Sequence, residues 1–159
     1  MVYLVAMLTL AALTTATSIA SPTTTSTQLT KRFKAATGQK LVANKQMSNA
    51  GHYKAYDGGA QSPALKARYG TFTVYLVTAG DVETEVSDLL ADSHTGQLGT
   101  PSAGKIYWEQ GVSLYGDPYW QAKRRYGQNV VLTWIGSSAV KKTDASWKRL
   151  HAALTAATK

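Results

Sequence analysis

The chain has 159 residues, 44% of them hydrophobic and 16% charged, which suits one globular domain and excludes a disordered chain or a multi-span membrane protein. Its 17 Lys and Arg against 9 Asp and Glu give a formal charge of +8, a balance that favours polyanionic partners, although no run of Lys and Arg exceeds three residues. Without any cysteine, disulfides, thiol nucleophiles, Cys-based zinc sites and iron–sulfur clusters are excluded, and a hydrophobic core alone must hold the fold.

Residues 2–13 (VYLVAMLTLAAL) match the apolar region of a secretory signal. Ser18-Ile19-Ala20 places small residues where a signal peptidase reads, so residues 1–20 are expected to be removed before Ser21. No Lys or Arg precedes the apolar run, which leaves an uncleaved anchor or a buried helix as alternatives; the first basic cluster is Lys31, Arg32 and Lys34. Residues 21–27 (SPTTTST) read as a polar linker, and residues 28–159 as the domain.

Leu29, Phe33 and Ala36 fall at helical spacing before Gly38, a left-handed stop. Residues 40–43 predict a brief strand, and GHYKAYDGG (51–59) a second strand closed by a glycine turn. Ser62-Pro63 signals a helix start, with serine at the cap and proline in the first turn; Arg68-Tyr69-Gly70 ends that helix. Residues 71–78 alternate as a strand, with Phe72, Val74 and Leu76 on one face. Asp81 caps a further helix whose Val82, Val86, Leu89 and Leu90 form an apolar stripe, followed by a loop over 92–104.

The second half reads in the same order. KIYWE (105–109) is a strand, Asp117-Pro118 a helix start, Arg125-Tyr126-Gly127 its stop, and NVVLTWI (129–135) a central strand, apolar on both faces. Thr143 or Asp144 caps a last helix carrying Trp147, Leu150, Leu154 and Ala157. The fold class expected is α+β: a single domain with an antiparallel or mixed sheet of four to five strands. A strand-helix-strand-helix order, twice over, suggests internal duplication. The repeated Arg-Tyr-Gly is then punctuation at helix ends rather than a binding motif.

Chemistry-bearing patterns are few. His52, His94 and His151 lack metal-ligand spacing, so no metal and no cofactor is expected. GSSAV (136–140) lacks the second glycine of a nucleophile elbow, and GTPSAGK (99–105) lacks the spacing and following Ser or Thr of a phosphate loop. His52 and Asp57 flank a short segment and are a weak pair; no catalytic residue is assigned. Lys54 between Tyr53 and Tyr56 is a faint nucleic-acid pattern, and nucleic acid is not expected as a partner. Acidic residues concentrate on the helix after Asp81 (Glu83, Glu85, Asp88, Asp92), while the rest of the chain is basic. Such a bipolar surface suits partner steering.

The richest segment is IYWEQGVSLYGDPYW (106–120). Tyr107, Glu109, Tyr115, Tyr119 and Trp120 combine flat aromatic rings with a carboxylate, a set suited to a protein, a peptide or a cell-wall glycan. Core and rim packing explains most of the aromatic rings in this segment. The expected function is a non-enzymatic, extracytoplasmic accessory or interaction domain, touching a membrane only through its N-terminal segment. The alternatives are an envelope hydrolase of glycans or esters, with Glu109 as its carboxylate, and a membrane-tethered polyanion-binding domain.

The Ala/Thr-rich leader and the tail containing Trp120, Arg125-Tyr126-Gly127, Asn129 to Leu132, Trp134, Thr143-Asp144, Trp147 and Leu150 resemble small exported proteins of high-GC bacteria with no assigned function. The resemblance covers roughly residues 107–154, and the lipid-attachment cysteine that many such proteins carry is missing here. It implies an envelope location and no particular activity.

Overall fold

The computed structural model describes residues 23–59, 61–91, 106–137 and 145–159. The leader at 1–20, the loop at 92–104, His94 and the Thr143 and Asp144 cap lie outside these residues. Among the described residues no helix is long and apolar enough to cross a membrane.

Helix α1 (Ser26–Thr37) begins inside the segment read as a linker, because Thr25 forms a capping box with Gln28: the Gln28 N–H donates to the Thr25 hydroxyl, and the Thr25 N–H to the Gln28 side chain. Gly38 ends it at φ 73°, as its position after Phe33 predicts. Strands β1 (Val42–Asn49) and β2 (Tyr53–Asp57) pair as a hairpin; β1 is longer than the brief strand expected. Helix α2 (Pro63–Tyr69) is capped by Ser62 and ends at Gly70, and β3 (Thr71–Val77) follows at once. Helix α3 (Val82–Leu90) starts at Asp81, whose carboxylate accepts from the Thr84 N–H and hydroxyl and is held below the usual carboxylate range by those bonds.

The second half departs from the expected order. Strands β4 (Ile106–Val112), β5 (Pro118–Tyr126) and β6 (Val130–Ser137) form an antiparallel meander before helix α4 (Ala145–Ala157). The helix expected from Asp117-Pro118 is therefore the strand β5, and the duplicated strand-helix-strand-helix order does not hold. Arg125-Tyr126-Gly127 closes a hairpin instead of a helix. Gly127 does take the left-handed conformation, at φ 61°, but in the β5–β6 turn.

The fold is α+β, with one six-stranded antiparallel sheet in the order β1-β2-β3-β6-β5-β4, against the four or five strands expected. Its two three-stranded halves meet at β3 and β6, where Phe72 faces Trp134, Val74 faces Leu132 and Leu76 faces Val130. These six side chains are buried under α1, α2 and α4, together with Phe33, Tyr69, Trp147, Leu150 and Leu154. The two central strands thus supply most of the area removed from water, which is the main force holding such a fold. On the other face α3 covers a smaller cluster of Val77, Val86, Leu90 and Val131. Polar ties fix the layers: Arg68 donates to the Thr37 carbonyl at 2.8 Å, and Arg149 to the Arg68 carbonyl at 3.0 Å.

Candidate functional site

The β4–β5 hairpin carries the five residues singled out in the sequence, and its alternation separates them. Tyr107 and Tyr119 lie on the α3 side of the sheet. Tyr107 packs against the Val77–Val131 cluster, and Tyr119 lies over Gly111, its register partner, where a Cβ would sit 2.6 Å from the phenol oxygen. Trp120 points the opposite way and packs on the main core. The Glu109 side chain lies outside the described residues, so only its backbone pairing with Gln121 is placed. Tyr115 stands at the tip, apart from the other four. The four aromatic residues therefore do not form one platform.

The tip itself is well built. The Gly116 N–H donates to the Ser113 carbonyl at 2.9 Å, and the Ser113 N–H to the Asp117 carbonyl at 2.8 Å. The Ser113 hydroxyl oxygen accepts from the N–H groups of Tyr115 and Asp117 at 3.2 and 3.1 Å. Gly116 takes φ 84°, the left-handed third position of a three-residue hairpin loop, and Pro118 opens β5, where a missing ladder donor is tolerated. Backbone and Ser113 alone thus satisfy the turn, and it asks nothing of the side chains at 114 and 115. Those side chains are Leu114 and Tyr115, with relative exposures of 102% and 92%, beside Val112 at 65%. Single exposed apolar residues are ordinary; here two stand on the turn and a third ends β4, so that they form an exposed apolar patch.

The other candidate groups have local employment. Asp57 accepts from the Gly59 N–H in a turn, and His52 pairs with Glu85 of α3, so the two do not form a catalytic pair. Tyr53 points to the α3 side of the sheet and Tyr56 into the main core, which removes the interleaved nucleic-acid pattern around Lys54. The acidic face of α3 is partly consumed internally. Glu83 takes both oxygens to Arg125, at 2.9 and 2.7 Å, and this guanidinium holds its carboxyl below the usual range. Among the described residues no group of three or more His, Asp and Glu is placed to hold a metal.

Sequence reading passed over one cluster. On the helical side of β5, the Tyr126 hydroxyl bonds His151 Nδ1, and His151 stacks on Trp147 at 5.7 Å. Burial raises the Tyr126 phenol; burial and then Arg124 hold His151 below its ordinary value. A depressed histidine means that, below about pH 6.5, the unfolded chain binds the proton more readily than the folded one. Stability is then expected to fall as the pH is lowered from about 7.5 through the ordinary histidine value near 6.5, above the range where Glu83 and Asp81 protonate. Urea midpoints should drop over that interval in the wild type and less in His151→Leu; equal drops would show that His151 contributes nothing. No family model, curated protein or solved structure matches the chain.

Proposed function

We propose that the protein is an exported, non-enzymatic interaction module that inserts the tip of its β4–β5 hairpin into an apolar cleft on another protein. The observation that carries this reading is the exposure of Leu114 and Tyr115 on a turn whose hydrogen bonds are complete without them. Leu114 and Val112 favour a protein cleft over a glycan, since aliphatic side chains offer a sugar neither a flat ring face nor a hydrogen bond. The rigid loop reduces the ordering cost of association. The apolar stretch at residues 2–13 supports export of the domain.

A photo-crosslinking residue at position 115 of the full chain, in the cells that make it, identifies the contacted protein. The purified pair then gives an affinity. Replacing Leu114 with Asp and Tyr115 with Ser together is expected to weaken it about 10- to 100-fold, the range for central anchor residues, with the melting temperature unchanged. Unaltered affinity in the double variant, or loss of its fold, would remove the tip from the binding surface. Association of the chain with itself, abolished by the same pair of substitutions, would make the partner a second copy.

A further inference from the structure

The run Lys123-Arg124-Arg125 on β5 divides between the two faces of the sheet. Lys123 donates to the Ala91 carbonyl at 3.2 Å, and Arg125 is taken up by Glu83, Gly127 and Gln128. Arg124 alone turns to the helical side, where its guanidinium lies 5.2 Å from the centre of the Tyr126 ring. It makes no ion pair or hydrogen bond among the described residues, and its Nε–H is buried without an acceptor. A buried donor on a permanent charge is costly to leave unmade, and Arg124 cannot shed its proton to escape that cost.

Arg124 lines a cleft of about 350 Å³ with Arg125, Tyr126, Gly127, Thr155, Thr158 and Lys159. Among the described residues no Asp or Glu side chain lines it. Thr155 and Thr158 donate their hydroxyl protons to the carbonyls of His151 and Leu154, each at 2.8 Å, which leaves lone pairs on both oxygens as acceptors. The last carbonyls of α4 carry roughly half a negative charge, which offsets only part of the charge on Arg124 and Lys159.

We propose that this cleft is a binding site for the oxyanion of a small hydroxylated molecule, a carboxylate or phosphate group seated on Arg124 and Lys159. The planar fork of arginine matches both groups, with hydroxyls of the same ligand donating to Thr155 and Thr158. The cleft lies at the small end of ligand pockets, which limits the occupant to a compact molecule. His151 shares a hydrogen bond with Tyr126 at its wall and is held low in part by Arg124. An anion on Arg124 relieves that repulsion, so occupancy is expected to raise the His151 pKa.

The test is titration of the full chain with inorganic phosphate and with acetate at fixed ionic strength in sodium chloride, followed by calorimetry and by the NMR signals of His151. Saturable binding of one anion in preference to the other is expected, with an upward shift of the His151 titration. Arg124→Met should weaken it at least about tenfold, the loss of a charge-assisted bond, and Lys159→Ala less. Lys148→Ala, on the exposed side of α4, should bind as the wild type does. Should Arg124→Met fail to fold, Lys159→Ala and the His151 shift carry the test. A linear response that chloride reproduces, or full binding by a folded Arg124→Met or by Lys159→Ala, would overturn the proposal.

Discussion

Trp134→Ala is expected to cost about 4–6 kcal/mol, enough to leave a domain of ordinary stability largely unfolded at 37 °C. Trp134 is fully buried at the middle of β6, facing Phe72 of β3 on one side and Ala122 of β5 on the other. Its ring meets Trp147 of α4 at 5.8 Å, and its Nε1–H donates to the Tyr69 carbonyl at 2.6 Å, at the end of α2. The indole therefore ties two helices to the sheet at one point. About 3–5 kcal/mol of the loss comes from the void and the lost transfer energy of the ring. Roughly 1 kcal/mol more comes from the carbonyl left unpaired. Trp134→Phe helps to separate the two, since it keeps one ring of the indole while removing the donor; it should cost about 1–3 kcal/mol. Urea unfolding followed by circular dichroism checks both, and an alanine variant within 2 kcal/mol of the wild type (up to about 30-fold in the folded ratio) would show that the ring is not central.

Gly58→Ala is the second large effect, for the opposite reason. A Cβ at Gly58 would lie 2.0 Å from Cε1 of Phe72. The Gly58 N–H donates to the Phe72 carbonyl at 3.0 Å, which holds the two backbones together. The phenyl ring cannot swing aside, because Phe33 and Tyr69 pack on it with ring centres 6.4 and 6.2 Å away. Overpacking of this kind costs about 1–3 kcal/mol, and more where neighbours are rigid. A double-mutant cycle with Phe72→Leu gives the decisive measurement. The smaller side chain makes room for the methyl, so the double variant should be more stable than the sum of the two single losses by about 1 kcal/mol or more. Simple additivity would mean that the clash is relieved by backbone movement.

The first half of the chain was legible because its local signals agree with its composition. Ser62-Pro63 is followed by Ala-Leu-Lys-Ala-Arg, good helix formers, and Leu65 and Tyr69 turn to the core together. Asp117-Pro118 offers the same start signal but is followed by Tyr-Trp-Gln, whose aromatic residues fit a strand. The period-2 pattern of β5 was hidden because a charged residue, Arg124, stands on its core side, so neither face reads as clean. The cap of α1 was hidden differently. Thr25 and Gln28 spell a capping box, but inside a threonine-rich stretch that composition alone assigns to a linker.

The site was legible only in its parts. Residue type found the aromatic segment, but a strand parity was needed to send Trp120 to the core and Tyr119 to the other face. Once residues 114–116 are a hairpin loop, exposure of Tyr115 follows, and Leu114 joins it; an aliphatic residue gave no signal by itself. Arg124 escaped notice because its neighbours in the run are paired and it is not, a distinction that exists only in three dimensions.

The β5–β6 turn also decides which way the molecule points. Gly127 lies beside both Thr24, where the chain leads into α1, and Thr158, just past α4, and Asn129 donates to the Thr24 carbonyl at 3.2 Å. The two ends of the described fold are thus neighbours. Strand β5 runs from that end to the hairpin tip over 9 residues, a span of about 30 Å at the usual rise per residue. A domain held by the chain ahead of Thr23, whether by a lipid bilayer, a fusion partner or a sensor chip, therefore stands on its tethered end like a peg. Leu114 and Tyr115 are then carried at the far end of β5, away from the end that holds it.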